Sequence, residues 1–399
     1  ADVHSSQAKG SRNPLLLISL DGFRWNYLDQ HPSAAPHLRS LRQHGVSAQG
    51  LIPVYPSNTF PNHYSIVTGL YPAQHGIINN TFFDPELGEF FRYQQIATVV
   101  QSRWWGGEPI WVTAEKQGRK AASAFWIGSD AEIKGVRPSF SRRYDPKLTF
   151  ETRLAEIRSW LKRAPAERPE LLVVYLGDTN DVGHFSGPET PAIIDSIRLV
   201  DSQVAQLIAS FTDEGLTPNV IVVSDHGMVA VDPNRVAILE DYLDLTRVQV
   251  EGEGSSVGLR PLQGDIASLL EAARRIPHSR VFALPDMPPH LRLSGSARLS
   301  PVWIIPDEGT HVGTRASVER NRQRPSGYLP GDHGYDPTLP SMHGIFIAQG
   351  PAFQRGVTIP AVENIHVYNL LCATLGLKAA PNSGDQRLVR TTLRGGHEK

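Results

Sequence analysis

Two kinds of segment alternate along the chain. Short, continuous apolar runs at Pro14–Leu20 (PLLLISL), Leu171–Leu176 (LLVVYL) and Val220–Val223 read as strands covered on both faces, with Ala121–Ile127 a shorter buried strand. Between them lie segments whose apolar residues recur at helical spacing: Pro36–His44, Phe60–Leu70, Leu148–Leu161 and Pro188–Phe211. Val46–Pro53 reads as extended chain. The three longer runs break off abruptly in acidic, glycine-bearing stretches: Asp21-Gly22, the GDTNDVGH of residues 177–184, and Ser224-Asp225-His226-Gly227. Buried strands alternating with helices predict an α/β fold, a mostly parallel sheet with helices on both faces. Ligands bind beyond the carboxyl ends of such strands, so the acidic stretches are expected to converge on one edge.

The pattern changes from about residue 230 to 330, where prolines, charged patches and short strands (Arg280–Leu284, Val302–Ile305) alternate. This reads as a smaller α+β insertion. The core pattern returns with a strand at Gly344–Ala348 and a helix at Asn364–Leu375, and an aromatic, glycine-bearing loop region extends to about Gly107. Residues 1–13 read as a polar tail without a signal-peptide core, and residues 14–399 as one domain carrying the insertion.

Composition narrows the possibilities. The chain has 399 residues, a formal net charge of −1 and 40% hydrophobic residues. That is enough for a large core, with no global attraction to a nucleic-acid duplex or an anionic membrane. No apolar run reaches the roughly 18 residues of a membrane span. The single cysteine, Cys372, excludes an internal disulfide and reads as a buried helix position. P-loop, GxGxxG and HExxH motifs are absent, and GEGSSVG at Gly252–Gly258 reads as a loop.

Candidate chemistry lies at the strand ends. Asp21, Asp225 and His226 end apolar runs, His184 lies in the loop after Leu171–Leu176, and His333 opens the stretch before Gly344–Ala348. Carboxylates and imidazoles gathered at one edge suit zinc, and two such groups would make a two-metal site for phosphoryl displacement. Thr59, beside the start of the Phe60–Leu70 helix, places a hydroxyl near unpaired N–H groups and the positive end of the helix dipole, a favourable place for phosphate.

SLDGFRWNYL, VYPSNTFPNHYSIVTGLYPAQHGII, FWIGSD, SDHGM and GDHGYDPTLPSMHGIF resemble the motifs of nucleotide pyrophosphatase/phosphodiesterases, of the alkaline phosphatase superfamily. The likeness runs from about Pro14 to Pro381, is weakest in the insertion, and is to the single-domain bacterial members. It implies an alkaline-phosphatase-like fold, two Zn2+ per chain and hydrolysis of nucleotide diesters to nucleoside 5′-monophosphates through a phosphothreonine at Thr59. By the resemblance Asp21, Thr59, Asp225 and His226 hold one zinc, and Asn80 hydrogen-bonds a phosphate oxygen. His184, His333 and the residue four before His184 hold the other. That residue is an aspartate in the family and Asn180 here, a poorer zinc ligand. Asp181 could replace it only by a one-residue slip of the loop, Asp178 only by a larger rearrangement, so a weakened second metal site is expected. Phe60 and Tyr144 match a base-stacking pair, with Trp126, Asp130 and Tyr175 as further candidates for the pocket. The alternatives are a choline or lipid phosphodiesterase of the same family and a low-activity binding variant. The resemblance also implies a periplasmic or secreted protein. Oligomeric state is not encoded legibly.

Overall fold

The computed structural model describes residues 13–395, so the proposed tail lies, apart from Asn13, outside the described residues. An eight-stranded sheet forms the centre, in the order Val357–Ile359, Val46–Ala48, Phe346–Gln349, Asn219–Val223, Leu15–Leu20, Leu171–Leu176, Ala121–Ala124, Phe140–Arg142. Only Phe346–Gln349 runs antiparallel to its neighbours within it. The central strand Leu15–Leu20 pairs in parallel with both Leu171–Leu176 and Asn219–Val223.

Both faces of these strands are buried, which is why their sequences are apolar without alternation. Leu15, Leu17, Val173 and Ile221 enter one core with Ile66, Trp111 and Leu371. Leu16, Ile18, Val174 and Val222 enter the other with Ile157, Ile197 and Val204. Helices Thr59–Thr68, Ile110–Lys116 and Val367–Leu375 therefore cover one face, and Pro36–His44, Phe150–Leu161 and Pro191–Thr212 the other. Cys372 is buried in the first core.

Residues 248–306 build a separate four-stranded antiparallel sheet, on which helix Ile266–Ala273 packs to form a third core. Two stretches differ from the sequence reading. The aromatic region before Gly107 contains a hairpin, Thr81–Asp84 with Glu89–Arg92, held by stacking of Phe82 on Phe91. The GDTNDVGH stretch is mostly helix, Asp178–Ser186. It has no apolar periodicity, but Asp178 and Asp181 in its first turn suit the helix dipole. Gly183 lets it lie flat on Met228, where a Cβ would stand 2.9 Å from the methionine Cε.

Arg298, in the segment between the Ser279–Ala283 and Val302–Pro306 strands of the small sheet, ties that segment to the hairpin. Its guanidinium bonds Asp84 at 2.8 Å and the carbonyls of Gly76, Trp104 and Arg103. Removing it strands a buried carboxylate and buried carbonyls, so Arg298→Ala is expected to lower unfolding free energy by about 3 kcal/mol. Urea denaturation measures this, and a loss under about 1 kcal/mol would refute the clamp.

His75 gives the fold an acid limit. Burial pushes it down to about 3, and its ring is held neutral by Ser65 and by the N–H of Ile77. The unfolded chain, with an ordinary histidine near 6.5, binds the extra proton between those values. Stability is thus fully present above pH 6.5 and falls at about 1.4 kcal/mol per unit as pH drops toward 3. Denaturation of His75→Gln is expected to lose the part of the acid slope that His75 supplies.

Candidate active site

The carboxyl ends of three adjacent parallel strands meet at the site. Asp21 follows Leu15–Leu20, Asp225 follows Asn219–Val223, and Tyr175 lies near the end of Leu171–Leu176. Asp21 is locked in place when its N–H bonds the Leu176 carbonyl at 2.9 Å and Tyr175 donates to its Oδ2 at 2.5 Å. Gly22 is required next: its φ is +68°, and a Cβ there would stand 2.9 Å from Asn180 Cα.

Thr59 is the first residue of helix Thr59–Thr68. Asn62 holds the loop that leads into it, accepting from Val54 N–H and donating to the Pro56 and Asn58 carbonyls. Thr59 Oγ1 lies 3.4 Å from Asp21 Oδ2 and 3.2 Å from His226 Nε2. His226 Nε2 is in turn 3.2 Å from Asp21 and 3.1 Å from Asp225.

One turn on from Thr59 comes His63, which the sequence reading missed. Its Nδ1 faces the Thr59 carbonyl at 2.8 Å and Asp225 Oδ2 at 3.3 Å, and its Nε2 meets Ser19 at 2.7 Å. Position four after a candidate nucleophile on one helix face was the available signal.

Asn180 and His184, four apart on helix Asp178–Ser186, share a face, so the helix leaves no loop in which Asp181 could slip into the place of Asn180. Asp178 is engaged elsewhere, accepting from Ser196 at 2.5 Å. His184 and His333 bring their Nε2 atoms to 3.1 Å, and the His333 ring stacks on His226 at 3.4 Å between centroids.

The charges are arranged for cations. Burial, then the neighbouring Asp225 charge, lifts Asp21 above the usual carboxylate range. Burial opposes ionisation of Asp225, but His226 and His63 hold it well below that range. Burial likewise opposes charge on His226, yet Asp225 and Asp21 raise it to about 10. Burial, with His226 and His184 beside it, keeps His333 neutral. Asn180 Oδ1 is buried without a hydrogen-bond partner among the described residues, and Asp21 Oδ1 and Asp225 Oδ2 are buried with only the histidine contacts given above. Among the described residues two groups have ligand atoms within 4.8 Å of one another: Asp21, Asp225 and His226, and His184, Asp332 and His333. Such oxygens and facing imidazole nitrogens fit metal cations.

The sequence model of type I phosphodiesterase / nucleotide pyrophosphatase matches residues 15–336. The chain belongs to this family. It is 34% identical over 394 residues to ectonucleotide pyrophosphatase/phosphodiesterase family member 3 of Rattus norvegicus, covering 96% of this chain and 44% of that protein. It is 35% identical to the venom phosphodiesterase of Macrovipera lebetinus, again covering 44% of the relative. The chain thus spans less than half the length of these relatives. The structure of murine ectonucleotide pyrophosphatase/phosphodiesterase 5 superposes with a TM-score of 0.88 at 32% identity, covering 96% of this chain and 100% of that one. The same murine protein has been solved as an inactive threonine-to-alanine variant in complex with AMP, with the same TM-score and coverage.

Within this family member, the remaining candidates fall in different places. Asn80 accepts from the Phe60 N–H at 2.9 Å, with no hydrogen bond on its NH2 among the described residues. Half-buried Phe60 packs against Phe91, Tyr93 and Trp105. Tyr144 is 46% exposed and packs against Phe125 and Tyr175, its N–H reaching Asp130 at 3.4 Å. Tyr175 touches Asp21, so it belongs to the site rather than to the core alone. Trp126, 1% exposed, stands edge-on to His63 and has no open face for a base. Asn79 is buried and accepts from Asn58 at 2.8 Å, a structural role. A cavity of about 780 Å³ opens beside the cluster, lined by Asn58, Asn80, Tyr93, His184 and His333 among others.

Proposed function

We propose that the chain hydrolyses nucleotide phosphodiester and pyrophosphate bonds, releasing nucleoside 5′-monophosphates, with Thr59 as nucleophile. The observation that carries this is the position of Thr59 Oγ1, within 3.4 Å of Asp21 and His226, at the N-terminus of a helix. The AMP bound to the inactive threonine-to-alanine murine neighbour supports both the nucleotide and the threonine.

Asp21, Asp225 and His226 would hold one Zn2+ beside Thr59, with His184, His333 and Asn180 ligands toward a second. Two such ions, when bound, would lower the pKa of the hydroxyl and offset charge on the phosphoryl oxygens. The chain's own groups do the rest. Asp21 and His226 orient Thr59 Oγ1 for in-line attack on phosphorus, forming a phosphothreonine diester as the leaving alcohol or phosphate departs. Water then attacks phosphorus from the opposite side to the Thr59 oxygen and returns the hydroxyl. The free NH2 of Asn80 is placed to donate to a phosphoryl oxygen, and the N-terminal N–H groups of the helix add positive potential. Phe60 and Tyr144 offer aromatic faces for a base. A periplasmic or extracellular location accords with the ecto- and venom enzymes among the relatives. Among the described residues no helix is long and apolar enough to cross a membrane.

Comparison of a chromogenic nucleotide diester with a choline phosphodiester, each with and without added zinc, tests this reading. Zinc-dependent preference for the nucleotide is expected, and preference for choline would replace it with the lipid reading.

A further inference from the structure

We propose that Asp332 supplies the carboxylate of the second metal site, with His311 as its positioning residue. This rests on the two-metal reading above. His184 and His333 each place Nδ1 against a backbone carbonyl, Gly331 at 2.7 Å and Ser57 at 2.8 Å. With Nδ1 engaged in both rings, both Nε2 atoms are turned toward one point, 3.1 Å apart. A cation there would be held by both imidazoles.

Two imidazoles and the neutral amide of Asn180 give such a cation no negative charge. Asp332 is the one carboxylate whose oxygen, among the described residues, joins His184 and His333 within 4.8 Å. It is 8% exposed and, among the described residues, its carboxylate has no lysine or arginine partner; it meets the His333 N–H at 2.8 Å and His311 Nδ1 at 3.6 Å. The two metal groups are then built alike, each from an adjacent Asp-His pair, Asp225-His226 and Asp332-His333. Three carboxylates would face two divalent ions instead of two.

His311 comes from the insertion, on a short strand, His311–Gly313, that pairs with Val236–Ile238. It is 5% exposed, and neither ring nitrogen has a hydrogen-bond partner. Gly254 makes room for the contact: a Cβ there would stand 2.8 Å from Asp332 Oδ2 and 3.3 Å from His311 Cε1. Ligating carboxylates are oriented by hydrogen bonds of their own, and the unpartnered His311 ring, 3.6 Å from Asp332 Oδ2, is placed to supply one.

The test is metal binding, read without turnover. The full chain is stripped with chelator and titrated with Zn2+ by calorimetry, and bound metal is counted after dialysis. The wild type is expected to bind two equivalents. Asp332→Asn is expected to keep the first and weaken the second roughly 100-fold, and His311→Gln to weaken it roughly tenfold. An unchanged second equivalent in Asp332→Asn overturns the proposal while leaving the nucleotide reading intact. A wild type that binds no zinc and is inactive sinks the parent reading, and a wild type with one equivalent sinks this one alone. Zinc-edge anomalous diffraction from the loaded wild type decides independently of how any variant folds. An Asp332 oxygen about 2.0–2.2 Å from the second ion is expected, and an ion held without Asp332 contradicts it.

Discussion

Thr59→Ala is expected to reduce hydrolysis of a nucleotide diester by more than about 10³-fold while AMP still binds. Among the described residues the hydroxyl is the only nucleophilic group of the cluster placed between Asp21 and His226. Its loss removes the attacking atom but leaves Asp21, Asp225 and His226 in place, along with the aromatic faces. Thr59→Ser, which keeps the oxygen on a side chain with more rotamer freedom, is expected to retain part of the rate. Steady-state kinetics with calorimetric AMP binding reads both. Activity of the alanine variant within tenfold of wild type would mean that water attacks directly.

Asp225→Asn is expected to cost as much by another route. Asp225 accepts from the Gly22 N–H at 3.1 Å through Oδ1, and its Oδ2 faces His63 and His226. An amide there puts N–H groups where a cation and two imidazoles need an acceptor. The first zinc equivalent is expected to weaken by at least about 100-fold, and the rate to fall by roughly 10³-fold. In the metal-free protein the same change removes the charge that raises His226, so by NMR the His226 titration should move down from about 10. A variant that binds zinc normally would remove Asp225 from the ligand set.

How much of this was legible in the sequence depended on what each residue had to do. Asp21, Asp225 and His226 stood out because an apolar strand cannot end in a buried acid without a partner, and the break is abrupt in both runs. The sheet was legible for the same reason, since strands buried on both faces lose their alternation. Helix Asp178–Ser186 was not, because it is held by contact with Met228 and Pro191–Thr212 rather than by an apolar stripe of its own. His184 therefore read as a loop residue. The hairpin at Thr81–Arg92 was hidden by aromatic residues on both of its faces, which read as an irregular stretch. His63 looked like an interior residue of a buried helix, which it also is. Asp332 sat in plain view within GDHGYD, but an acid between glycine and histidine reads as a turn. Only the approach of His311 from the insertion, 21 residues earlier in the chain, shows it to be enclosed.

The stereochemistry at phosphorus tests the central claim most directly. A nucleotide diester chiral at phosphorus through sulfur substitution, hydrolysed in ¹⁸O-water, records whether displacement occurs once or twice. Two in-line displacements, first by Thr59 and then by water, give net retention, the result expected here. Net inversion would show that water displaces the leaving group in one step and that Thr59 never carries the phosphoryl group.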